Sequence, residues 1–214
     1  MIPRFGHVVA LLLALVGCGD VLDESSALGQ ANLALRPEQA SISPRFISLF
    51  QAKAPVLQVG FVDLETNGNL LLERQNGEFA YWISPEGAQL TLQSGILHST
   101  RGFGEGLLAS ELSEPLELVL GMRSGWSDRF HTYLDGEERA VTRTYRCRVD
   151  NDGAREIDLF GTPVDTRLMR ESCRSLDQEF VNLYWVAPSR GSIILSRQWA
   201  GPVVGAISTR IVPE

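Results

Sequence analysis

With 214 residues, 44% of them hydrophobic and 21% charged, the chain has the length and composition of one globular domain, which excludes a disordered polymer and a polytopic membrane protein. A formal charge of -7 at pH 7 cannot neutralise phosphates, so no nucleic-acid partner is expected. The same sign argues against adhesion of the domain surface to anionic lipid.

The first stretch in chain order is Met1 to His7 with Arg4, then an unbroken apolar run from Val8 to Val16, then Gly17-Cys18. This run is shorter than the roughly 20 residues a membrane-spanning helix needs, and it suits the apolar region of a secretory signal. Leu15-Val16-Gly17-Cys18 resembles the tetrapeptide of bacterial lipoproteins. The resemblance implies that residues 1–17 are a signal peptide and that Cys18 becomes the first mature residue, carrying a diacylglycerol and a third, palmitate-like acyl chain. Several chains bury enough methylenes to anchor the protein durably in a membrane. Gly19 follows where inner-membrane retention by enterobacterial analogy would want aspartate, so the expected location is the outer membrane, with the domain facing the periplasm.

Residues 18–41 mix Ser25, Ser26, Gly29, Gln30 and Asn32 among apolar positions and read as a lipidated start and flexible tether. Residues 42–214 are then one domain. Ser43 as N-cap and Pro44 in the first turn predict a short helix, whose Phe46, Ile47, Leu49 and Phe50 would plug one end of the core. From Pro55 onward, short β-branched and aromatic runs alternate with turn residues, which predicts an all-β antiparallel meander. Strands are expected at 56–64, 70–74, 79–84, 89–93, 96–99, 129–134, 139–149, 156–160, 164–169, 179–186, 193–199 and 203–211. The turns fall at Asn67-Gly68, Asn76-Gly77, Pro85-Glu86-Gly87, Gly136, Asn151-Asp152-Gly153 and Ser189-Arg190-Gly191. Residues 102–126 read as loop, with one helical turn near Leu107. So many strands must either close into a barrel or fold into a two-layer sandwich to cover their apolar faces.

Lipidation consumes Cys18 and leaves Cys147 and Cys173. In an oxidising periplasm the two remaining cysteines are expected to form a disulfide. No C-x-x-C occurs and neither has a histidine nearby in sequence, so no metal is expected. The catalytic patterns fail in turn. Gly102-Phe103-Gly104-Glu105-Gly106 has neither the spacing of a dinucleotide loop nor a phosphate-binding lysine, and no G-x-S-x-G elbow is present. His98 and His131 stand alone in strand-like runs and read as structural, while Asp135 with Glu137, and Glu111 with Glu114, read as acidic surface turns. No enzyme activity and no cofactor follow.

The arginines carry more. In the run from Arg139 to Val149, period-two alternation puts Arg143 on one face with Val141, Tyr145, Cys147 and Val149, leaving Thr142, Thr144, Arg146 and Arg148 on the other. By the same count Arg197 shares a face with Ile193, Leu195 and Trp199. Such an arginine is either paired internally, with Asp135, Asp165 or Glu179 as partners, or lines a concave site for something anionic or hydroxyl-rich.

These residues also carry a resemblance. Tyr133-Leu134-Asp135-Gly136 leads into Val141 to Cys147; Val164-Asp165-Thr166-Arg167 precedes the second cysteine; Phe180 to Trp185 is followed by Ser196-Arg197-Gln198-Trp199, Gly201-Pro202 and Gly205. Upstream stand Trp82 to Gly87 and Leu90 to Gly106. Together they resemble the group 4 capsule lipoproteins of the YjbF and GfcB type. The resemblance implies an all-β lipoprotein encoded alongside exopolysaccharide or capsule export proteins, with no catalytic residues to carry over. It points to a non-enzymatic factor docking on companion periplasmic and outer-membrane export proteins. The alternative is a polysaccharide-binding module using aromatics such as Trp82, Tyr184, Trp185 and Trp199. Docking predicts an exposed apolar patch or strand edge; glycan binding predicts exposed aromatic faces flanked by planar polar side chains.

Overall fold

A computed structural model describes residues 41–103, 106–134, 137 and 139–213. The expected lipidation site Cys18, the expected tether up to residue 40, Asp135 and the expected turn at Gly136 lie outside the described residues. Twelve antiparallel strands form one nearly closed barrel: β1 (Val56–Phe61), β2 (Thr66–Asn76), β3 (Phe79–Ile83), β4 (Gln89–Gln93), β5 (Ile96–Arg101), β6 (Leu107–Glu111), β7 (Gly125–Leu134), β8 (Ala140–Leu159), β9 (Thr162–Arg174), β10 (Glu179–Ala187), β11 (Ser192–Trp199) and β12 (Ala206–Ile211). Each strand pairs with its neighbour in sequence except β5 with β6, and β1 pairs with β12, so the order runs β5-β4-β3-β2-β1-β12-β11-β10-β9-β8-β7-β6. β5 and β6 flank the remaining seam. There the Leu107 N–H donates to Thr100 Oγ1 at 2.9 Å.

The barrel is flattened until opposite walls touch. Gln198 on β11 accepts from the Leu97 N–H at 2.7 Å and donates to the Gly95 carbonyl at 3.0 Å, joining β11 to β5 and the turn before it. Gly95 has φ 90°, and a Cβ there would stand 2.9 Å from the Ile193 Cβ, so only glycine lets the walls come this close. Apolar clusters fill the interior on both sides of this contact, one around Leu57, Trp82 and Leu97, the other around Ile96, Val149 and Tyr184.

Among the described residues two helices decorate the sheet, α1 (Pro44–Gln51) and α2 (Ser113–Leu120). α1 forms where the serine and proline signals place it, but it buries none of its residues and lies against β2 instead of plugging the core. The plugging is done by α2, which buries Pro115, Leu116 and Val119 among Val149, Met169 and Tyr184. Residues 107–120, expected as loop, are thus a strand and a helix. The start Ser113-Glu114-Pro115 carried the signal, because proline fits a first helical turn.

Two expected turns are absorbed into strands. Asn67-Gly68 lies in the β1–β2 ladder opposite Val59 and Gly60, and the chain reverses earlier, with Glu65 at φ 51°. Asn151-Asp152-Gly153 sits inside the 20-residue β8 as a bulge opposite β9, with Gly153 at φ 89°. A bulge takes up a positive-φ glycine without ending the ladder. Asn76-Gly77, Pro85 to Gly87 and Ser189 to Gly191 do turn the chain, with positive φ at each glycine.

Candidate functional site

Strands β7 to β10 have two chemically distinct faces, and alternation along each strand builds both. Inward along β7 stand Ser127, Arg129, His131 and Tyr133; inward along β8 stand Tyr145, Cys147 and Val149. Cys147 and Cys173 lie directly opposite in the β8–β9 ladder and form the expected disulfide. Beside it runs a buried polar network. Arg129, 1% exposed, is ion-paired with the fully buried Glu171, whose Oε2 also accepts from Tyr184 Oη at 2.7 Å and from Asn182 Nδ2 at 2.8 Å. Asn182 Oδ1 in turn accepts the Trp199 N–H at 2.7 Å. Burial works against the charge on Arg129, but Glu171 and then Tyr184 outweigh it and hold the guanidinium ionised. Burial also pushes the Tyr184 hydroxyl above its ordinary range, so it stays protonated and keeps donating.

The Glu171 carboxylate approaches both sulfurs closely, in a Cys-Glu-Cys arrangement that would suit a metal. The disulfide removes both thiolates as ligands. Above the network three rings stack: His131 on Phe180 at 5.6 Å and Phe180 on Trp199 at 5.9 Å, each pair 12° from parallel. His131 Nδ1 lies 2.8 Å from Tyr133 Oη, a structural role matching the sequence reading. Burial first, and the Arg129 charge second, push the imidazole well below its ordinary pKa.

The outer face of the same strands is a grid set by register. One row runs Asp128, Arg146, Arg174, Glu179; the next runs Trp126, Arg148, Ser172, Val181. Trp126 is 58% exposed, and the guanidinium carbons of Arg146 and Arg148 lie 5.5 and 5.6 Å from its ring centroid, within cation–π reach. Each arginine is tied to a carboxylate: Arg146 to Asp128 at 2.8 Å, Arg148 to Asp150 at 2.9 Å, Arg174 to Glu179 at 2.6 Å. A groove of about 850 Å³ runs beside the tryptophan along this grid.

The residues singled out from sequence fall on both faces and at the rim. Arg143 does share the core-facing side of β8, but close to the strand end, where solvent reaches it. It is paired with Asp177 in the β9–β10 connection, at 2.9 and 3.0 Å, and not with Asp165 or Glu179. Asp165 is exposed on β9 opposite Glu156, and Glu179 serves Arg174. The face count on β11 is wrong by one residue. A bulge opposite Trp185 and Val186 shifts the register, so Ile194, Ser196 and Gln198 point inward, each 1% exposed, and Arg197 is exposed. Polar side chains inside, Ser196 bonded to Thr209 at 2.6 Å and Gln198 to β5, defeat an alternation argument that expects apolar ones. Trp199 nevertheless turns inward, half-buried, onto Phe180, and Trp185 is half-buried on the outer side of β10.

Of the aromatics expected on a glycan face, Tyr184 is fully buried and Trp82 is buried beside a 420 Å³ cleft at one end of the barrel. The exposed indole is Trp126, which sequence reasoning placed in a loop. Nothing in Ser124-Gly125-Trp126 marks a strand without its β8 partner. A second surface feature lies next to α1, an apolar cleft lined by Phe50, Ala54, Pro55, Val56, Leu71 and Val212, with Phe50 69% exposed.

Fold and site together define a class: a disulfide-braced, flattened, nearly closed antiparallel β-barrel. The model of the family described as group 4 capsule polysaccharide lipoprotein gfcB, YjbF, matches residues 33–212, and the chain belongs to that family. Among solved structures, the crystal structure of the hypothetical lipoprotein YmcC from Escherichia coli (K12) has the same fold, with a TM-score of 0.67 at 17% identity over 90% of this chain and 98% of that one. No curated protein matches the chain.

Proposed function

We propose that this protein is a non-enzymatic accessory of capsular or extracellular polysaccharide export, held in the outer membrane through acylated Cys18 with its domain in the periplasm, and docking on companion export proteins. Its membership of a capsule-polysaccharide lipoprotein family across nearly the whole domain is the observation that carries the reading. The exposed apolar surface beside α1, with Phe50 at its edge, supports docking, since such surfaces on a secreted domain mark contacts with other molecules. Deleting the protein is expected to lower surface or secreted polysaccharide while leaving the repeat-unit chemistry unchanged, because an export factor acts after synthesis. A changed repeat unit, or cleavage of the polymer by the purified protein, would refute the reading. Cys18→Ser is expected to give unprocessed or released protein and the same export defect.

One observation favours a second reading alongside the first. Trp126 standing among the guanidinium and carboxylate planes of Arg146, Arg148, Asp128 and Asp150 is the arrangement expected of direct contact with the polysaccharide.

A further inference from the structure

The groove beside Trp126 has chemistry that selects among polymers. Each guanidinium lining it is ion-paired, Arg174 with Glu179 in the lining, Arg146 and Arg148 with Asp128 and Asp150 beside it, so the formal charges of these pairs cancel. A groove without net positive charge, on a chain carrying -7, has no field with which to gather a polyanion. An acidic polymer would also have to displace carboxylates that already stand 2.6 to 2.9 Å from their arginines, Asp128 and Glu179 from neighbouring strands and Asp150 from the same strand as Arg148. What remains is a dense set of planar donors and acceptors, joined by Ser172 and Ser175. Guanidinium donates to a hydroxyl oxygen, carboxylate accepts the hydroxyl hydrogen, and an indole face packs on the C–H side of a sugar ring.

We infer that this groove binds an uncharged, hydroxyl-rich segment of a glycan. Trp126 is the stacking platform, and the Arg146–Asp128 and Arg148–Asp150 pairs are the hydrogen-bonding clamp on vicinal hydroxyls. The disulfide and the Arg129–Glu171 pair on the inner face of these strands fix the spacing of the grid. The inference rests on the second reading above, that the protein touches the polysaccharide directly.

Titration calorimetry on the full acylated protein in detergent tests it, with two probes: the polysaccharide secreted by the strain that encodes this chain, and the same polymer after chemical reduction of its carboxyl groups to alcohols. Saturable binding is expected, equal for both polymers and unchanged between about 50 and 500 mM salt, because an uncharged contact is not screened. Trp126→Ala is expected to weaken binding about tenfold, and Arg148→Ala to weaken it less, in the range of one lost stacking or hydrogen-bonding contact. Phe160→Ala removes an exposed aromatic ring under Arg210, elsewhere on the surface, and is expected to change nothing. Full binding by both groove variants overturns the site. Binding lost on carboxyl reduction or in high salt overturns the uncharged ligand and leaves direct contact standing. No saturable binding of either polymer overturns both direct contact and this inference, and leaves the docking role untouched.

Discussion

Arg129–Glu171 and Arg146–Asp128 are both arginine–carboxylate pairs, the first reaching from β7 past β8 to β9 inside the barrel, the second joining β7 to β8 outside it. The inner pair is 2% and 0% exposed at its side chains; the outer pair is 57% and 45% exposed. Inside, neither charge has water to fall back on, so each depends wholly on its partner and on Tyr184 and Asn182. Outside, water solvates both charges, so neither depends on the other and the pair adds little to stability. Position relative to the sheet, and not the pairing itself, decides which arginine holds the fold and which is available for contact.

The sharpest way to break the comparison is Glu171→Gln, which keeps the shape and removes the charge. It is expected to cost about 3 to 5 kcal/mol, the range for stranding a buried charge, and to lower the midpoint in urea accordingly. Replacing both partners with apolar residues of similar volume, Arg129→Met with Glu171→Leu, is expected to recover most of that loss. If the double variant is as unstable as the single one, the network has a packing role beyond charge compensation.

Next in size is the disulfide beside that pair. Cys147 and Cys173 are separated by 26 residues. Cys147→Ala with Cys173→Ala should cost about 3 to 4 kcal/mol on the chain-entropy account of a loop of this length, read by denaturant unfolding. A loss much smaller than this would show that the barrel ladder alone restricts the chain.

A smaller effect comes from His131, buried in the same layer. Its folded pKa lies well below the ordinary 6.5, so below about 6.5 the unfolded chain binds the proton that the folded chain refuses. Stability is therefore full above that value and declines as the pH falls through it toward the folded pKa. Thermal midpoints measured from pH 8 down to pH 5 should show this decline in the wild type and a shallower one in His131→Phe.

The outer pairs should respond least. Arg146→Ala is expected to cost roughly 0 to 1 kcal/mol of stability, the value of an exposed ion pair. Arg143→Ala, which breaks the rim pair with Asp177, should leave the thermal midpoint within error, as should Arg197→Ala, since Arg197 is exposed and outward. This runs against the internal-pairing alternative of the sequence analysis, under which loss of either arginine would destabilise the fold. A large destabilisation by either would restore it.

The meander was legible because its signals are local. Alternation in β8 correctly set Tyr145, Cys147 and Val149 against Arg146 and Arg148, and two leftover cysteines sufficed to pair Cys147 with Cys173. Closure of a many-stranded sheet followed from the need to cover its apolar faces. Local pattern failed wherever the interior is polar or a bulge intervenes. β11 was counted one residue out because Ser196 and Gln198 face inward past a bulge, and Arg129 went unnoticed because its partner Glu171 is 42 residues away. The candidate face was invisible for the same reason: Trp126, Arg148 and Ser172 become neighbours only through ladder register across three strands. Sequence by itself determined most of the strands, their antiparallel pairing with sequence neighbours and the disulfide, because period-two patterning, turn residues and a cysteine count act over short range or need no geometry; it missed β6 and the start of β7 and divided β8 in two. Tertiary structure alone decided which charges are buried and which aromatic ring is exposed, because both depend on the register and closure of strands distant in sequence.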